Sequence, residues 1–263
     1  MSDNGCLIPL PWETRNLGIA SFSLSEAFPG DCDETKLRIS MEQKAKEHGS
    51  FFVQARIKMD TRLAQLLERN GFYFVETTVY VLNILHRNSQ LRSFVSDNSL
   101  FLPPRYNRSD LVAASLNRDD AALCAAVKRI ASESFTEDRF HVDHNCTRDV
   151  ANRRFVYWLE DLLGDAKVVL YVLFHKQEPI AFMARKADHL MLSGFAKKYV
   201  SAGLGEYFWL SVLKQMKQEG MKHARGVVSV RNIPSLNLCA RTGFKLRDAV
   251  ATFHYWHRSG TAP

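Results

Sequence analysis

Hydrophobic and polar positions alternate along residues 1–85 with two different periods. Two mainly polar segments, near 33–47 and at 61–72, have the residue pattern of a helix. A strand-like period of two, rich in aromatic and β-branched residues, occurs at 20–24, 51–57 and 74–85. The pattern predicts a small N-terminal lobe in which strands and helices alternate.

Periodicity is lost over residues 86–108, which contain Pro103 and Pro104, and this segment is the predicted linker. A second domain is predicted over 109–258. It opens with a strand at 110–116 and two helices, and it continues with three strand-like runs joined by tight turns. Those three runs are 166–174, 180–187 and 189–196.

An amphipathic helix is predicted over 203–219, with Gly220 as its end. Its apolar stripe recurs every four positions and consists of Leu204, Phe208, Val212 and Met216. A buried strand at 224–230, a short helix and a last strand at 251–258 complete the series. Strands and helices mixed in this order predict an α/β fold of the mixed α+β type.

A segment of the N-terminal lobe resembles one in the second domain when the sequence is shifted by 172 positions. Residues 51–72 then align with residues 223–244 without a gap. The alignment pairs Asp60 with Asn232, Gly71 with Gly243 and Phe72 with Phe244. The lobe is therefore predicted to be a truncated relative of the second domain, although two strand–helix units can also resemble each other by chance.

The loop from Lys197 to Gly205 joins the last of the three runs to the amphipathic helix. Gly203 and Gly205 lack a Cβ atom, so an anion can approach the main chain closely. Unpaired N–H groups and the helix dipole also favour an anion at the start of a helix. The loop is a candidate pyrophosphate site, and a plain strand-to-helix turn is the alternative that the residues alone leave open.

Composition narrows the class of protein without identifying it. A hydrophobic content of 46% and a charged content of 24% are typical of a globular protein. The sequence contains no signal-peptide pattern and no apolar run of membrane-spanning length, so a cytoplasmic protein is predicted. Five scattered cysteines indicate free thiols in a reducing compartment. The net charge of +7 favours a polyanionic partner, but the basic residues form no nucleic-acid recognition motif.

The order of these features resembles the GNAT superfamily of acyl-CoA-dependent N-acyltransferases. The resemblance depends on the three-strand meander, the G-x-G helix, the next strand and the spacing from Asn232 to Gly243 and Phe244. It implies a GNAT fold over 109–258, a partial GNAT-like lobe over 1–85, and acetyl-CoA as the co-substrate without a metal. It also implies that the sheet opens between the strands at 189–196 and 224–230. The residues it assigns to acetyl-CoA binding are Phe195, Ala196, Val200, Ser201, Ala202, Gly203, Leu204, Gly205 and Asn232.

Cys239 departs from the family pattern, in which a Tyr at this position protonates the leaving thiolate. Three interpretations are open: a small core residue, a proton donor in place of the Tyr, and a nucleophile. Tyr207 and Tyr255 are alternative acids. Asp188 and His189 are candidate bases or water-binding residues, or form a solvated strand end.

Three segments, 10–24, 134–144 and 251–258, resemble the dTDP-fucosamine acetyltransferase group. This resemblance implies transfer of an acetyl or short acyl group to the amine of a nucleotide-linked sugar, for cell-surface glycans such as lipopolysaccharide. It assigns acceptor contacts to Arg139, Phe140, His141 and Asp143. Two other interpretations of this loop are a polar surface loop and, with His144 and Cys146, a metal site.

Two alternatives to this function are also open. The acceptor could be a peptide or another small amine, or the chain could be a non-catalytic acyl-CoA-binding module. A homodimer is suggested only by analogy with the family fold.

Overall fold

A computed structural model describes residues 6–26, 28, 33–134 and 138–259. Over these residues the chain forms ten strands and eight α-helices, together with short 3-10 turns. The chain divides into two compact units. Unit 1 comprises Met1–Thr78, Arg139–Val150 and Ala249–Pro263, and unit 2 comprises Val79–Asp138 and Ala151–Asp248. None of the helices in the described part of the chain is long and apolar enough to cross a membrane.

Unit 1 contains elements predicted for the N-terminal lobe, two short elements that were not predicted, β1 and α1, and part of the strand predicted at 251–258. Its strands are β1 (Leu7–Pro9), β2 (Ala20–Leu24), β3 (Phe51–Lys58), the first part of β4 (Tyr73–Ile84) and the second part of β10 (Lys245–His257). Its helices are α1 (Pro11–Leu17), α2 (Glu34–His48) and α3 (Thr61–Arg69). β2 pairs antiparallel with β1 and parallel with β3, and β3 pairs antiparallel with β10.

The core of unit 1 forms where α2 and α3 pack against the strands. Leu37 of α2 and Leu67 of α3 are fully buried in one cluster with Phe51 and Val53 of β3. Helix α1 was not predicted, because it is only seven residues long and has no apolar stripe.

Unit 2 contains the predicted meander and the amphipathic helix. Its strands, besides the remaining parts of β4 and β10, are β5 (Leu111–Ser115), β6 (Val168–His175), β7 (Glu178–Lys186), β8 (His189–Phe195) and β9 (His223–Ser229). Its helices are α4 (Ser89–Ser96), α5 (Ala121–Ser134), most of α6 (Arg148–Gly164), α7 (Gly205–Gln218) and α8 (Ile233–Arg241). Strands β5 to β8 pair antiparallel with their chain neighbours, which confirms the predicted meander.

The predicted stripe of α7 forms the centre of the unit 2 core. Its four residues are at most 1% exposed: Leu204, Phe208, Val212 and Met216. The helix begins at Gly205, two positions later than predicted, because Gly203 has φ +81°. A residue with that backbone angle cannot belong to a right-handed helix.

Part of the predicted linker is helical. Asn88 caps α4, since its Oδ1 accepts from the N–H of Leu91 at 3.0 Å. Leu91 and Phe94 are buried in the core of unit 2. Helix α4 is short and presents only these two buried apolar residues, so its periodic signal in the sequence is weak.

The two segments related by the shift of 172 positions begin their helices in the same way. In unit 1 the Oδ1 of Asp60 accepts from the N–H of Leu63 at 2.9 Å. In unit 2 the Oδ1 of Asn232 accepts from the N–H of Ser235 at 3.1 Å. Each side chain is therefore an N-cap, which is the role that Asp and Asn fill best.

The two helices also end in the same way. Gly71 has φ +81° and Gly243 has φ +85°, and a buried Phe follows each. The N–H of Phe72 donates to the carbonyl of Leu67 at 3.1 Å, and that of Phe244 donates to the carbonyl of Cys239 at 2.9 Å. Cys239 thus has the same place in α8 that the core residue Leu67 has in α3.

Cys6 is disulfide-bonded, so the expectation that all the cysteines are free thiols is wrong for this residue. Cys124, Cys146 and Cys239 are free. Cys32 lies outside the described residues. The thiol pattern therefore no longer supports the inference of a reducing compartment.

Gly243→Ala should destabilise the protein more than Gly220→Ala, although both glycines have φ +85°. A Cβ at Gly220 would meet nothing within 4 Å, so only the backbone cost of about 1–2 kcal/mol applies there. A Cβ at Gly243 would lie 2.7 Å from the Oδ1 of Asn88, which adds an overpacking cost of about 1–3 kcal/mol. Urea unfolding at 25 °C measures both losses. Equal losses would contradict the close packing of Asn88 against this turn.

Candidate functional site

Strands β8 and β9 of unit 2 are parallel and pair only at their starts. His189 is the register partner of Arg225, and no later pair follows along the described parts of the two strands. On its other side β8 stays paired with β7 as far as Phe195. The edge of β8 from Ser193 to Phe195 therefore faces a gap in the sheet, as the sequence analysis predicted.

The segment between β8 and α7 has unusual backbone angles. A 3-10 turn at Lys197–Tyr199 is followed by Ser201 with φ +62° and Gly203 with φ +81°. Leu204 is the N-cap residue of α7, and no side chain caps this helix. The N–H groups of the first helical turn have no acceptor within a helix, so here they can donate to an anion.

A cavity of 580 Å³ is bounded by the free edge of β8, this loop and the start of α8. Its size is in the range of small-molecule sites. It is lined by all the predicted acetyl-CoA-binding residues except Ala196, namely Phe195, Val200, Ser201, Ala202, Gly203, Leu204, Gly205 and Asn232. The N–H of Ala196 donates to the carbonyl of Ile180 at 2.8 Å and so continues the pairing of β8 with β7.

Several lining residues were not singled out from the sequence. They are Ser134, Ser193, Gly194, Tyr199, Glu206, Trp209, Ile233, Pro234, Ser235, Asn237, Leu238 and Arg241. Ser134 ends α5, and its hydroxyl lies 3.0 Å from the carbonyl oxygen of Phe195. A polar residue at the end of a helix has no sequence signal that would assign it to the end of a strand 61 positions away.

Two residues of the predicted linker contact the glycine loop. The guanidinium of Arg105 donates to the carbonyl of Ala202 at 2.8 Å, across 97 positions of sequence. Pro103 fills the space beside Gly203, where an added Cβ would lie 2.7 Å from the Cγ of Pro103. The linker segment thus stabilises the conformation of the loop, which periodicity could not reveal.

Helix α8 presents a polar group to the cavity at each of its ends. The Oδ1 of Asn232 is occupied by its cap hydrogen bond, so its Nδ2 can donate to a ligand. The side chain of Arg241 is 69% exposed and its Nη1 lies 3.2 Å from the Oε1 of Glu206. Exposed ion pairs are weak, so Arg241 can exchange Glu206 for a stronger anion.

Cys239 lies in the core of unit 2 and is 1% exposed. Its side chain is not among the described groups that line the cavity. Burial raises the pKa of its thiol to about 12. Such a thiol stays protonated at neutral pH, and proton transfer from it to a thiolate with a pKa of about 8.5 is uphill. The geometry therefore favours the interpretation of Cys239 as a small core residue.

The candidate tyrosines are also in structural positions. Burial raises the pKa of Tyr207, which lies in the unit 2 core and does not line the cavity. Burial also raises the pKa of Tyr255, which packs against Phe51 and Phe72 in unit 1. Because burial raises the pKa of both hydroxyls, neither is a good proton donor at neutral pH.

Asp188 and His189 lie at the start of β8, outside the cavity lining that the structure describes. The carboxylate of Asp188 accepts from the Nε of Arg225 at 2.8 Å. Burial lowers the pKa of His189, so its imidazole is neutral at neutral pH. The ion pair favours the interpretation of these residues as a strand end.

The four residues predicted to contact the acceptor lie in unit 1, where Phe140 and Asp143 are buried and Arg139 and His141 are partly exposed. Residues 135–137 of the same loop lie outside the described residues. The ring of Phe140 is 0% exposed, with its centroid 5.2 Å from that of His254. The guanidinium of Arg139 lies 4.9 Å from the Phe140 centroid and donates to Glu13 at 2.9 Å. These contacts attach the loop to the interior of unit 1.

Asp143 accepts three side-chain hydrogen bonds within unit 1. The donors are the hydroxyl of Tyr73 at 2.5 Å, the Nδ1 of His254 at 2.7 Å and the Nε1 of Trp256 at 2.9 Å. Burial alone would raise the pKa of Asp143, but the hydrogen bonds outweigh it and hold the pKa at about 2. Burial lowers the pKa of His254. At neutral pH the pair is therefore an aspartate with a neutral imidazole.

The metal-site interpretation of this loop has no geometric support. Among the residues that the structure describes, no group of three or more His, Cys, Asp or Glu side chains is placed to hold a metal ion. His141 is partly exposed, and the carboxylate of Asp143 is engaged by the three donors named above.

Comparison with known proteins identifies the fold. No protein-family model matches the sequence. The chain is 23% identical over 197 residues to the spore coat polysaccharide biosynthesis protein SpsD of Bacillus subtilis strain 168, an alignment that covers 72% of this chain and 68% of that protein. A GCN5-related N-acetyltransferase from Sphaerobacter thermophilus has a TM-score of 0.61 at 13% identity, covering 93% of this chain and 75% of that one. A tandem GNAT protein from the clavulanic acid biosynthesis pathway has a TM-score of 0.59 at 11% identity, covering 93% of this chain and 76% of that one.

These similarities, together with the mixed sheet and the helices described above, show that the chain has the fold of the GCN5-related N-acetyltransferases. The fold class implied by the sequence is confirmed.

Arg105→Ala should weaken CoA binding about tenfold, because the loop carbonyl of Ala202 loses a charge-assisted hydrogen bond. Calorimetric titration with CoA measures the change. Arg92, which is exposed on α4, provides a matched control, and Arg92→Ala should leave the affinity unchanged. Unchanged affinity in Arg105→Ala would show that the loop does not need this contact.

Proposed function

We propose that the chain is an N-acetyltransferase that moves an acetyl or short acyl group from acyl-CoA to an amino group. The observation that carries the proposal is the meeting of three features in one cavity: the free edge of β8, the uncapped start of α7 and the amide of Asn232. Together they provide donors for a long, polar ligand that carries a diphosphate at one end and an amide-containing arm along the rest.

The lining residues fit acetyl-CoA in character and size. The loop from Ser201 to Glu206 provides main-chain N–H groups at a helix start, which suit a pyrophosphate. Gly203 has a positive φ and no space for a Cβ beside Pro103, so another residue there would distort the loop. The edge of β8 at Ser193 to Phe195 can pair with the amides of the pantetheine arm in the manner of an added strand.

The reaction supported by this site is direct transfer. Acetyl-CoA supplies the acetyl group as a thioester, the amine nitrogen bonds to its carbonyl carbon, and the carbon–sulfur bond breaks. The amine loses one proton and the thiolate gains one. Because the thiol of Cys239 is buried with its pKa at about 12, we propose that water carries this proton from the nitrogen to the sulfur.

The proposed acceptor is a nucleotide-linked amino sugar used for a cell-surface polysaccharide. Support comes from the similar Bacillus subtilis protein, which is named for spore coat polysaccharide biosynthesis. The net charge of +7 also suits two polyanionic substrates.

Thermal unfolding with added ligands tests both parts of this proposal. CoA should raise the melting temperature, since a ligand at 100 times its dissociation constant stabilises by about 2.7 kcal/mol. dTDP or UDP should add a separate increase if the acceptor is nucleotide-linked. Gly203→Ala should lose the effect of CoA, and Gly220→Ala at the far end of α7 should keep it. An increase with CoA and none with either nucleotide would favour a peptide or small-amine acceptor, and no increase with CoA would refute the proposal.

A second candidate, a non-catalytic acyl-CoA-binding module, is favoured by one observation. The position at which the family has its acid Tyr is here a buried thiol outside the described cavity lining. Release of free CoA from acetyl-CoA with a panel of amines, which includes amino sugars, amino acids and peptides, distinguishes the two candidates. CoA binding without release for every amine would support the binding module.

Cys239→Ala should lower turnover less than tenfold, because the thiol is placed in the core and not in the cavity. The measurement is the steady-state rate with acetyl-CoA and the amine that gives the fastest release. A loss beyond a thousandfold would show instead that the thiol takes part in the chemistry.

A further inference from the structure

Unit 2 contains a second, smaller cavity of about 200 Å³ that the proposed acetyl-CoA site does not use. Among the described residues, the two cavities share no lining residue. Five residues of α7 form one side of the smaller cavity, and the other side consists of Phe94, Asn98, Arg108 and Ala113. We call it the α7 cavity. Most small-molecule sites have about 300–1,000 Å³, so this volume suits a small ion or a single group of a larger ligand.

The charged side chains of the α7 cavity are all cationic. Of the described residues that line it, only Arg108 and Lys214 carry a charge, and none is an Asp or Glu. Lys214 is partly exposed, and its ammonium group makes no hydrogen bond or ion pair within the described part of the chain. Two cations on one cavity without a carboxylate favour a bound anion.

Arg108 is fixed by three contacts, although the residue is exposed. Its Nε donates to the Oδ1 of Asn98 at 3.1 Å, and its Nη1 donates to the carbonyl of Leu111 at 3.0 Å. Its guanidinium carbon lies 5.7 Å from the centroid of the Tyr207 ring. No described residue accepts from Nη2, which keeps two N–H groups for a ligand. A guanidinium held in this way loses little conformational entropy when it binds an oxyanion.

The neutral polar groups of the cavity include both a donor and acceptors. The Oδ1 of Asn98 is occupied by Arg108, so its Nδ2 is left to donate. The Nε2 of Gln215 donates to a main-chain carbonyl of β5 at 3.2 Å, and the hydroxyl of Ser211 donates to a carbonyl one turn before it at 2.7 Å. Their oxygens are neutral acceptors. The two cations outweigh them, because hydrogen bonds that involve a charged group are the stronger ones.

We propose that the α7 cavity binds a small oxyanion between the ammonium group of Lys214 and the Nη2 of Arg108. The Nδ2 of Asn98 donates to the same ion. A free phosphate and the carboxylate of a small metabolite share this chemistry. The site rests on the contacts of unit 2 alone, so it does not depend on the proposed function.

The effect of removing Lys214 on stability should depend on the anion. Without an anion the two cations repel each other, so Lys214→Gln should leave the melting temperature unchanged or raise it at low ionic strength. Saturating phosphate should stabilise the wild type and should not stabilise Lys214→Gln. A lysine that only supports the fold would lower the melting temperature equally in both conditions when replaced, and this result would contradict the proposal.

The binding experiment titrates the full chain with inorganic phosphate by calorimetry, while sodium chloride keeps the ionic strength constant. We expect saturable binding to the wild type. Binding should be about tenfold weaker in Lys214→Gln and in Arg108→Gln, since each variant loses a charge-assisted hydrogen bond. Lys217→Gln on α7 and Arg92→Gln on α4 remove an exposed cation outside the cavity and should keep the wild-type affinity.

Two further titrations identify the location and the chemical class of the ligand. Gly203→Ala alters the glycine loop and should keep phosphate binding, because that loop does not line the α7 cavity as described. Acetate distinguishes the sources of the oxyanion. Weaker binding of acetate than of phosphate would assign the site to phosphate groups, equal binding would assign it to carboxylates, and both results support an oxyanion site.

The proposal is overturned if phosphate does not bind saturably, or if it binds equally to the wild type and to both test variants. Loss of phosphate binding in Gly203→Ala but not in Lys214→Gln would assign the ion to the glycine loop and would also overturn it. Lys214→Gln keeps the test valid if Arg108→Gln does not fold, because Lys214 makes no polar contact with a described residue.

Discussion

The separation of β8 from β9 after their single pair at His189 and Arg225 is the constraint on which the candidate site depends. Strand β8 remains fixed on its other side by β7, so its backbone beyond Ser193 stays extended while one edge lacks a strand. Unpaired backbone groups in a protein interior need partners, which a ligand can provide in the form of amides. The loop before α7 then provides main-chain donors at the end of the same gap. The proposed binding site for a long ligand thus depends on one missing ladder of hydrogen bonds.

The same strand, helix and glycine turn occurs in both units, and it is used differently in each. Asp60 and Asn232 make equivalent N-cap bonds, and Gly71 and Gly243 have equivalent positive φ angles. In unit 2 the capping residue Asn232 also lines the cavity. Local structure therefore accounts for the cap and the glycine in both units. In unit 2 a ligand would add only one role, which is a hydrogen bond from the Asn232 amide group that the cap leaves available. Local structure also accounts for the burial of Cys239, because the equivalent position in unit 1 is occupied by the core residue Leu67.

Structural features that depend only on residues close together in the sequence were predictable from it. The stripe on α7 follows from its four-residue spacing, the two N-caps from Asp and Asn before an apolar run, and the loop from its glycines. Contacts between distant positions were not predictable, because pattern and propensity contain no information about them. Arg105 on the carbonyl of Ala202 and Pro103 beside Gly203 are of this kind.

The burial of polar residues was also not predictable from the sequence. Arg139, Phe140 and Asp143 read as a polar loop with one aromatic residue, but they lie inside unit 1 against Glu13 and His254. A polar residue in a sequence indicates exposure by default, and only tertiary partners make its burial favourable. The partners here come from α1 and β10, at opposite ends of the chain.

The central claim is that main-chain amides before and at the start of α7 bind the paired phosphates of CoA. A crystal structure of the chain grown with CoA tests it most directly. The account predicts both phosphates within hydrogen-bonding distance of N–H groups between Ser201 and Glu206, with the pantetheine arm along the edge of β8. A well-ordered CoA bound anywhere else on the protein, with this loop in contact with solvent alone, would contradict the account.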